Sequence, residues 1–161
     1  MYTRVQQAQQ EWGGSLSAID GWLDERQQLI VSYCKLASLP PFENDRTTLP
    51  TQQQVQEFCQ LLLDYLSAGH FEVYERIITE SDTKDNHCRQ LAEKLYPKIS
   101  ISTDLALAFN DKYADHLSTR QSGPFDLELS ELGQALEERF GYEDELIYTL
   151  YKTQTDDPVT V

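Results

Sequence analysis

Apolar positions along this chain recur at helical spacing almost throughout, and no four-residue stretch alternates as a half-buried strand requires. The first run predicts a helix from Ser15 to about Ser38, with Ile19, Trp22, Leu23, Ile30, Tyr33, Cys34 and Ala37 on one face and Ser15 as its N-cap. Pro40 and Pro41 lack the N–H that would continue the ladder and are expected to stop it. Residues 41–50 read as a loop, with Thr51 after Pro50 as the next N-cap. From Thr51 to about Thr79, Val55, Phe58, Leu62, Leu66, Gly69, Val73 and Ile77 keep a spacing of three to four without losing phase. That predicts one long helix, bent at Gly69, where glycine costs ~1 kcal/mol relative to alanine. A tight turn at 67–69 between two short antiparallel helices is the alternative. A second row, Cys59, Leu63, His70, Tyr74 and Ile78, widens the apolar stripe past half the circumference, as in a helix central to a bundle or facing a partner.

Residues 80–86 form a polar connection. A shorter helix over 86–96 puts Cys88, Leu91, Ala92 and Leu95 on one face and is expected to end at Pro97. Another runs from about Ser102 to Ser118, with Leu105, Phe109, Tyr113 and Leu117 recurring every four residues. Pro124 is placed to begin the last helix, which carries Phe125, Leu129, Leu132, Leu136, Phe140, Ile147 and Leu150 to about Lys152. The pattern as a whole predicts an all-α fold, an antiparallel helical bundle of about four long helices with additional short ones. It would form a single domain over 1–152 with a flexible tail over 153–161.

A chain of 161 residues, 40% hydrophobic and 11% aromatic, suits one domain with a substantial core and not wholesale disorder. Charge narrows the choice of partner. With 13 Lys and Arg against 27 Asp and Glu, the net charge of -14 argues against binding nucleic acid or an anionic membrane surface. It favours a basic protein partner, or serves solubility alone. Cys34, Cys59 and Cys88 form no CxxC pair, which fits a reducing compartment. The stretch MYTRVQQAQQEWGG lacks the apolar segment of a signal peptide, and the longest apolar runs are three or four residues. A cytoplasmic location is expected.

Catalytic motifs are missing: there is no GxxxxGK[ST], no GxGxxG and no GxSxG. His87 and Cys88 are sequence neighbours, which on a helix point about 100° apart, so they make no dyad. YLSAGHFEVYERI and ERFGYEDEL resemble metal-carrying bundle helices in outline, but Glu-x-x-His, His-x-x-x-His and His-x-x-x-Glu do not occur among His70, His87 and His116. No catalytic residue, metal or cofactor is therefore expected; a metal-binding four-helix bundle of hemerythrin-like type stands as the alternative. Two acidic features remain. Between Asp126 and Glu145, eight acids face the single base Arg139, a charge of -7 that is either a solvated face or a docking surface. Asp64 sits alone in LLLDYLSAGHF. It is either exposed or paired internally, or it accepts a partner arginine among Tyr65, Phe71 and Tyr74.

At these residues the sequence resembles the Rsd/AlgQ family, the regulators of sigma D. EFCQLLLDYLSAGHFEVYERI (57–77) carries the resemblance, supported by ELGQALEERFGYEDELI (131–147) and, more weakly, WLDERQQLIVSYCKL (22–36). The stretches 38–50, 79–125 and the tail show no distinctive motif. The resemblance implies an anti-sigma factor and not an enzyme. Such a protein binds the primary sigma factor mainly through its C-terminal, -35-reading domain and keeps it from core RNA polymerase, favouring alternative sigma factors as growth slows into stationary phase. It implies Asp64 as the receptor for a sigma arginine, with Tyr65, His70, Phe71 and Tyr74 as pocket or groove residues and Glu143 and Asp144 as a further contact. Some relatives are also connected to carbon-source and stress signalling through other protein partners.

Overall fold

Helices α1 (Ser17–Leu36), α2 (Gln52–Ala68), α3 (His87–Tyr113) and α4 (Pro124–Thr155) make up the computed structural model, which describes residues 17–39, 50–74, 87–114 and 124–155. A π-helical turn, Gly69–Tyr74, extends α2. Every regular element among the described residues is helical, as the pattern predicts. Side-chain contacts fix the directions. Trp22 stacks on Tyr65 while Tyr33 meets Phe58, so α1 and α2 run opposite ways. Phe58 meets Phe109 and His70 meets Tyr96, which sets α3 against α2. Lys112 pairs with Glu128 and Arg139 reaches Ser102, which sets α4 against α3. Arg26 pairs with Asp144 and Tyr33 bonds Leu129, which closes α4 on α1. The result is an up-down-up-down four-helix bundle.

The buried rows carry a coiled-coil rhythm. On α3, Ala92, Leu95, Ile99, Ser102, Ala106, Phe109 and Tyr113 are buried at alternating spacings of three and four. On α4 the row is Phe125, Leu129, Leu132, Leu136, Arg139, Glu143 and Leu146. Such spacing keeps a seam facing its neighbour, whereas a strict spacing of four drifts about 40° per step. Drift is why Leu105, expected in the core, is instead exposed.

Two element boundaries differ from the expected ones, at Pro97 and at the end of α4. The α1 helix ends near Ser38 as expected: Ser38 adopts a left-handed backbone (φ 54°). Its N–H reaches Lys35 O at 3.3 Å, and Leu39 N–H reaches Cys34 O at 2.9 Å. These two bonds are a Schellman closure that satisfies carbonyls the helix end leaves open. Thr51 caps α2 as expected, its hydroxyl accepting from Gln54 N–H while the Gln54 side chain accepts from Thr51 N–H. Beyond it the chain stays helical through Tyr74, so the tight turn at 67–69 is overturned; residues 75–79 lie outside the described residues. Finally, Pro97 does not end a helix. The two expected helices on either side of it are one, α3, because Leu95 and Ile99 flank the proline on a single buried row while Pro97 itself faces outward. The last helix overruns its expected end at Lys152 by three residues. No helix among the described residues is long and apolar enough to cross a membrane.

One glycine sets the distance between α1 and α4. The Tyr33 hydroxyl donates to Leu129 O at 3.0 Å, lying so close over α4 that a Cβ on Gly133 would stand 2.0 Å from that hydroxyl and 2.4 Å from the ring. Alanine is the better helix former by ~1 kcal/mol, but overpacking costs ~1–3 kcal/mol. Gly133→Ala is therefore expected to lower the melting temperature by a few degrees in the wild-type background and to cost little in a Tyr33→Ala background, where the clash is gone. Thermal denaturation of the two single variants and their combination measures the difference.

Candidate functional site: a buried charge cluster behind an acidic helix face

Three charged side chains occupy positions in the buried rows. Arg26 stands between Trp22 and Leu29 on α1, and Arg139 and Glu143 replace apolar residues in the α4 row. Glu143 has no exposed surface, and its carboxylate is surrounded by donors. Tyr65 Oη donates to Oε1 at 2.5 Å and Tyr74 Oη to Oε2 at 2.5 Å. Arg139 Nε reaches Oε2 at 3.2 Å, and Arg26 Nη2 reaches Oε1 at 3.5 Å. Arg26 also donates to Tyr65 Oη at 2.9 Å and to Asp144 Oδ1 at 2.5 Å, with Asp144 only 10% exposed. Arg139 Nη1 donates to Ser102 Oγ at 3.1 Å and Thr103 Oγ1 at 2.8 Å, across on α3, and its Nη2 to Tyr74 Oη at 3.5 Å. Two guanidiniums thus balance two carboxylates, and every helix contributes a charged or hydroxyl group: Arg26 from α1, Tyr65 from α2, Ser102 and Thr103 from α3, and Arg139, Glu143 and Asp144 from α4. Breaking a buried pair by removing one partner costs ~3–5 kcal/mol, because the other charge is left uncompensated.

The π turn supplies Tyr74. On a straight α-helix, at about 100° per residue, Tyr65 and Tyr74 would face opposite sides. A π turn takes up about one extra residue, which reduces the angle between them to about 80° and lets both phenols reach Glu143. Trp22 holds the start of that turn. Its indole N–H donates to Tyr65 O at 3.2 Å, its ring stacks on Tyr65 at 5.1 Å and 10°, and Tyr74 meets it edge-on at 6.1 Å. Gly69 permits this approach, since a Cβ there would lie 3.1 Å from the indole ring. The expected bend at Gly69 is therefore a change of helical register. The Arg26 guanidinium completes the packing, 4.8 Å from the Phe140 ring centroid and 5.4 Å from that of Trp22.

Protonation follows from this arrangement. Burial lowers the pKa of the Arg26 guanidinium, but the oxygens of Tyr65, Glu143 and Asp144 more than reverse that, and the net shift is upward. Arg139 behaves alike: burial lowers it, Glu143 and the tyrosine oxygens raise it, and the net shift is again upward. Burial raises Tyr65 well above the usual phenol value; Arg26 opposes this and Glu143 adds to it. Burial, reinforced by Glu143, raises Tyr74 as well. Both phenols accordingly stay neutral donors at any ordinary pH.

This geometry divides the residues expected to meet a partner. Asp64 is exposed on α2, one position before Tyr65, and its Oδ1 accepts from the Gln60 amide at 2.9 Å. Among the described residues no cation pairs with it. His70 is half-buried in the π turn, its ring 6.3 Å from that of Tyr96. The Phe71 side chain lies outside what is described. Tyr65 and Tyr74, expected as pocket or groove residues, and Glu143, expected as a further contact, are instead internal and bonded to one another, because a buried carboxylate must collect donors. Asp144 is nearly buried against Arg26. The acid-rich stretch of α4 is therefore split. Glu143 and Asp144 turn inward to the two arginines, while Asp126, Glu131, Glu137, Glu138 and Glu145 are exposed and Glu128 pairs with Lys112. Sequence reasoning missed Arg26, and it read Arg139 only as a counter-charge. The signal was present: each arginine stands in phase with an apolar row. For a metal, the described residues contain no group of three or more His, Cys, Asp or Glu side chains placed to hold one, so nothing favours the hemerythrin-like alternative.

Residues 1–151 match the family described as "Regulator of RNA polymerase sigma(70) subunit, Rsd/AlgQ". The chain belongs to the Rsd/AlgQ family. Among similar proteins in it are those named "Regulator of sigma D" from Yersinia enterocolitica and from an Enterobacter species (strain 638). Each is 36% identical over 148 residues, covering 91% of this chain and 88% of the relative. The Yersinia pestis protein of the same name is also 36% identical, over 91% of this chain and 87% of its own length. The family match spans α1 to α3 and α4 as far as residue 151, and with them both the buried cluster and the Asp64 face.

The two raised phenol pKa values have a sign that can be checked. In the unfolded chain a tyrosine ionises near pH ~10. In the folded chain Tyr65 and Tyr74 keep their protons beyond that, so the unfolded state binds fewer protons and stability falls with rising pH. Above pH ~10 the loss is expected to be about 1.4 kcal/mol per pH unit for each tyrosine. Urea unfolding between pH 8 and about 11 measures the slope, and Tyr74→Phe is expected to make it shallower.

Proposed function

We propose that this chain is an anti-sigma factor of the Rsd/AlgQ type. It acts in the cytoplasm, binds the primary RNA polymerase sigma factor mainly at its C-terminal, -35-recognition domain, and holds that factor away from core polymerase so that alternative sigma factors gain access. Membership of the family supports the class of partner. The observation that carries the site is Asp64. It is an exposed carboxylate, held by the Gln60 amide and without a cation among the described residues, on a helix whose outward positions Gln53, Gln56, Glu57, Gln60 and Ser67 carry no base. A domain that reads the DNA backbone must present Arg and Lys, so the surface it offers to phosphate is complementary to this one. The net charge of -14 adds long-range attraction that speeds encounter. The role is binding and not catalysis: sequestration by mass action needs an occupied surface and no reacting group. In this reading His70 lies at the margin of the contact, and the outward acids of α4 contribute attraction at a distance.

Asp64→Ala is expected to weaken binding to the sigma C-terminal domain by about 2–5 kcal/mol, some 30-fold or more, with unchanged helicity and melting temperature. Wild-type affinity is expected to fall as salt rises from 50 to about 300 mM, through screening of the exposed charges. Calorimetric titration at both salts provides the measurement. Equal affinity of the variant and the wild type would remove Asp64 from the contact.

A further inference from the structure

We infer that Glu143 is a positioning residue for the Asp64 face, acting on partner binding through Tyr65 and Tyr74 without touching the partner. The inference rests on the docking role proposed for Asp64. Its basis is that the segment from Asp64 to Tyr74 is clamped from behind at both ends by one carboxylate. At the first end, Tyr65 follows Asp64 directly, and its phenol donates to Glu143 Oε1 at 2.5 Å. The same residue is pinned through its backbone, where the carbonyl accepts from the Trp22 indole at 3.2 Å. At the far end, Tyr74 closes the π turn and donates to Glu143 Oε2 at 2.5 Å. Between the two lie Gly69, seated against Trp22, and the half-buried His70.

Glu143 itself has no exposed surface, so no partner reaches it while the bundle is intact. Its two oxygens nevertheless set the register that Asp64 and the π turn share. With either bond lost, the turn is free to relax toward α-helical register, which rotates Tyr74 by about 100° relative to Tyr65. A rigid face pays less ordering entropy on association, and that saving is the contribution assigned to Glu143.

A double-mutant cycle on binding to the sigma C-terminal domain tests this, using the full chain with Asp64→Ala, Glu143→Gln and their combination. Positioning predicts that Glu143→Gln weakens binding about tenfold when Asp64 is present and less than about twofold once Asp64 is alanine. A purely structural residue would show the same loss in both backgrounds, and a non-participant no loss in either; each result overturns the inference. Should Asp64→Ala alone bind like wild type, the docking face itself fails, and the positioning role with it. Should Glu143→Gln fail to fold by circular dichroism, Tyr74→Phe replaces it in the same cycle. That variant removes only the hydroxyl that anchors the π turn, and the same two patterns of loss decide.

Discussion

A carboxylate with no access to water must collect its hydrogen bonds from the protein, and Glu143 receives them from α1, α2, α4 and the π turn. Much of the bundle's specificity follows. An apolar four-helix core tolerates sliding and rotation of its helices, since one leucine layer resembles the next. A layer containing Arg26, Arg139 and Glu143 tolerates neither. A shift of one turn between α1 and α4 would strand Arg26 away from both carboxylates, and a rotation of α2 would withdraw the Tyr65 phenol. The ring packing of Trp22, Tyr65, Tyr74 and Phe140 around Arg26 then excludes water from the same layer.

Charge in this chain consequently has two uses that its total of -14 conceals. Inward-facing acids are matched by arginines and specify the register of the helices. Among the described residues, most acids of α4 outside the cluster face outward, and with the net charge of -14 they leave a surface that repels polyanions and attracts bases. Residues of both kinds alternate along α4, where Glu143 and Asp144 point to the cluster while Glu138 and Glu145 point to solvent. Helical periodicity alone makes that division.

Periodicity also explains what was legible beforehand. Helix class, bundle architecture, the Thr51 cap and most of the apolar rows follow from spacing, because burial in a bundle repeats every three to four residues. The end of α1 near Ser38 was legible as well, although the closure itself, a left-handed backbone at Ser38, has no sequence signal as strong as the double proline that follows. Pro97 was read as a terminator because its local preference is to end a helix. Tertiary contacts of Leu95 and Ile99 outweigh that preference. Asp64 was recognisable as an isolated acid, and its exposure fits. Glu143, far along the chain, was expected as an outward contact because a charged residue in an apolar row is easily taken for a surface one, and Tyr65 and Tyr74 were expected in a groove because spacing does not tell a groove wall from a core. Only the convergence of three helices shows that these polar atoms satisfy one another.

The π turn has a consequence for how such a sequence can vary over evolutionary time. Locally it is the less favourable conformation, and removing one residue between 69 and 74 would give a more regular helix. Globally that deletion would turn Tyr74 away from Glu143 and leave a buried oxygen short of a donor. Local and global preferences are frustrated against each other at this single turn. Insertions and deletions tolerated in the connecting segments should therefore be purged here, and the separation between Tyr65 and Tyr74 is expected to be conserved more strictly than the identity of the residues between them.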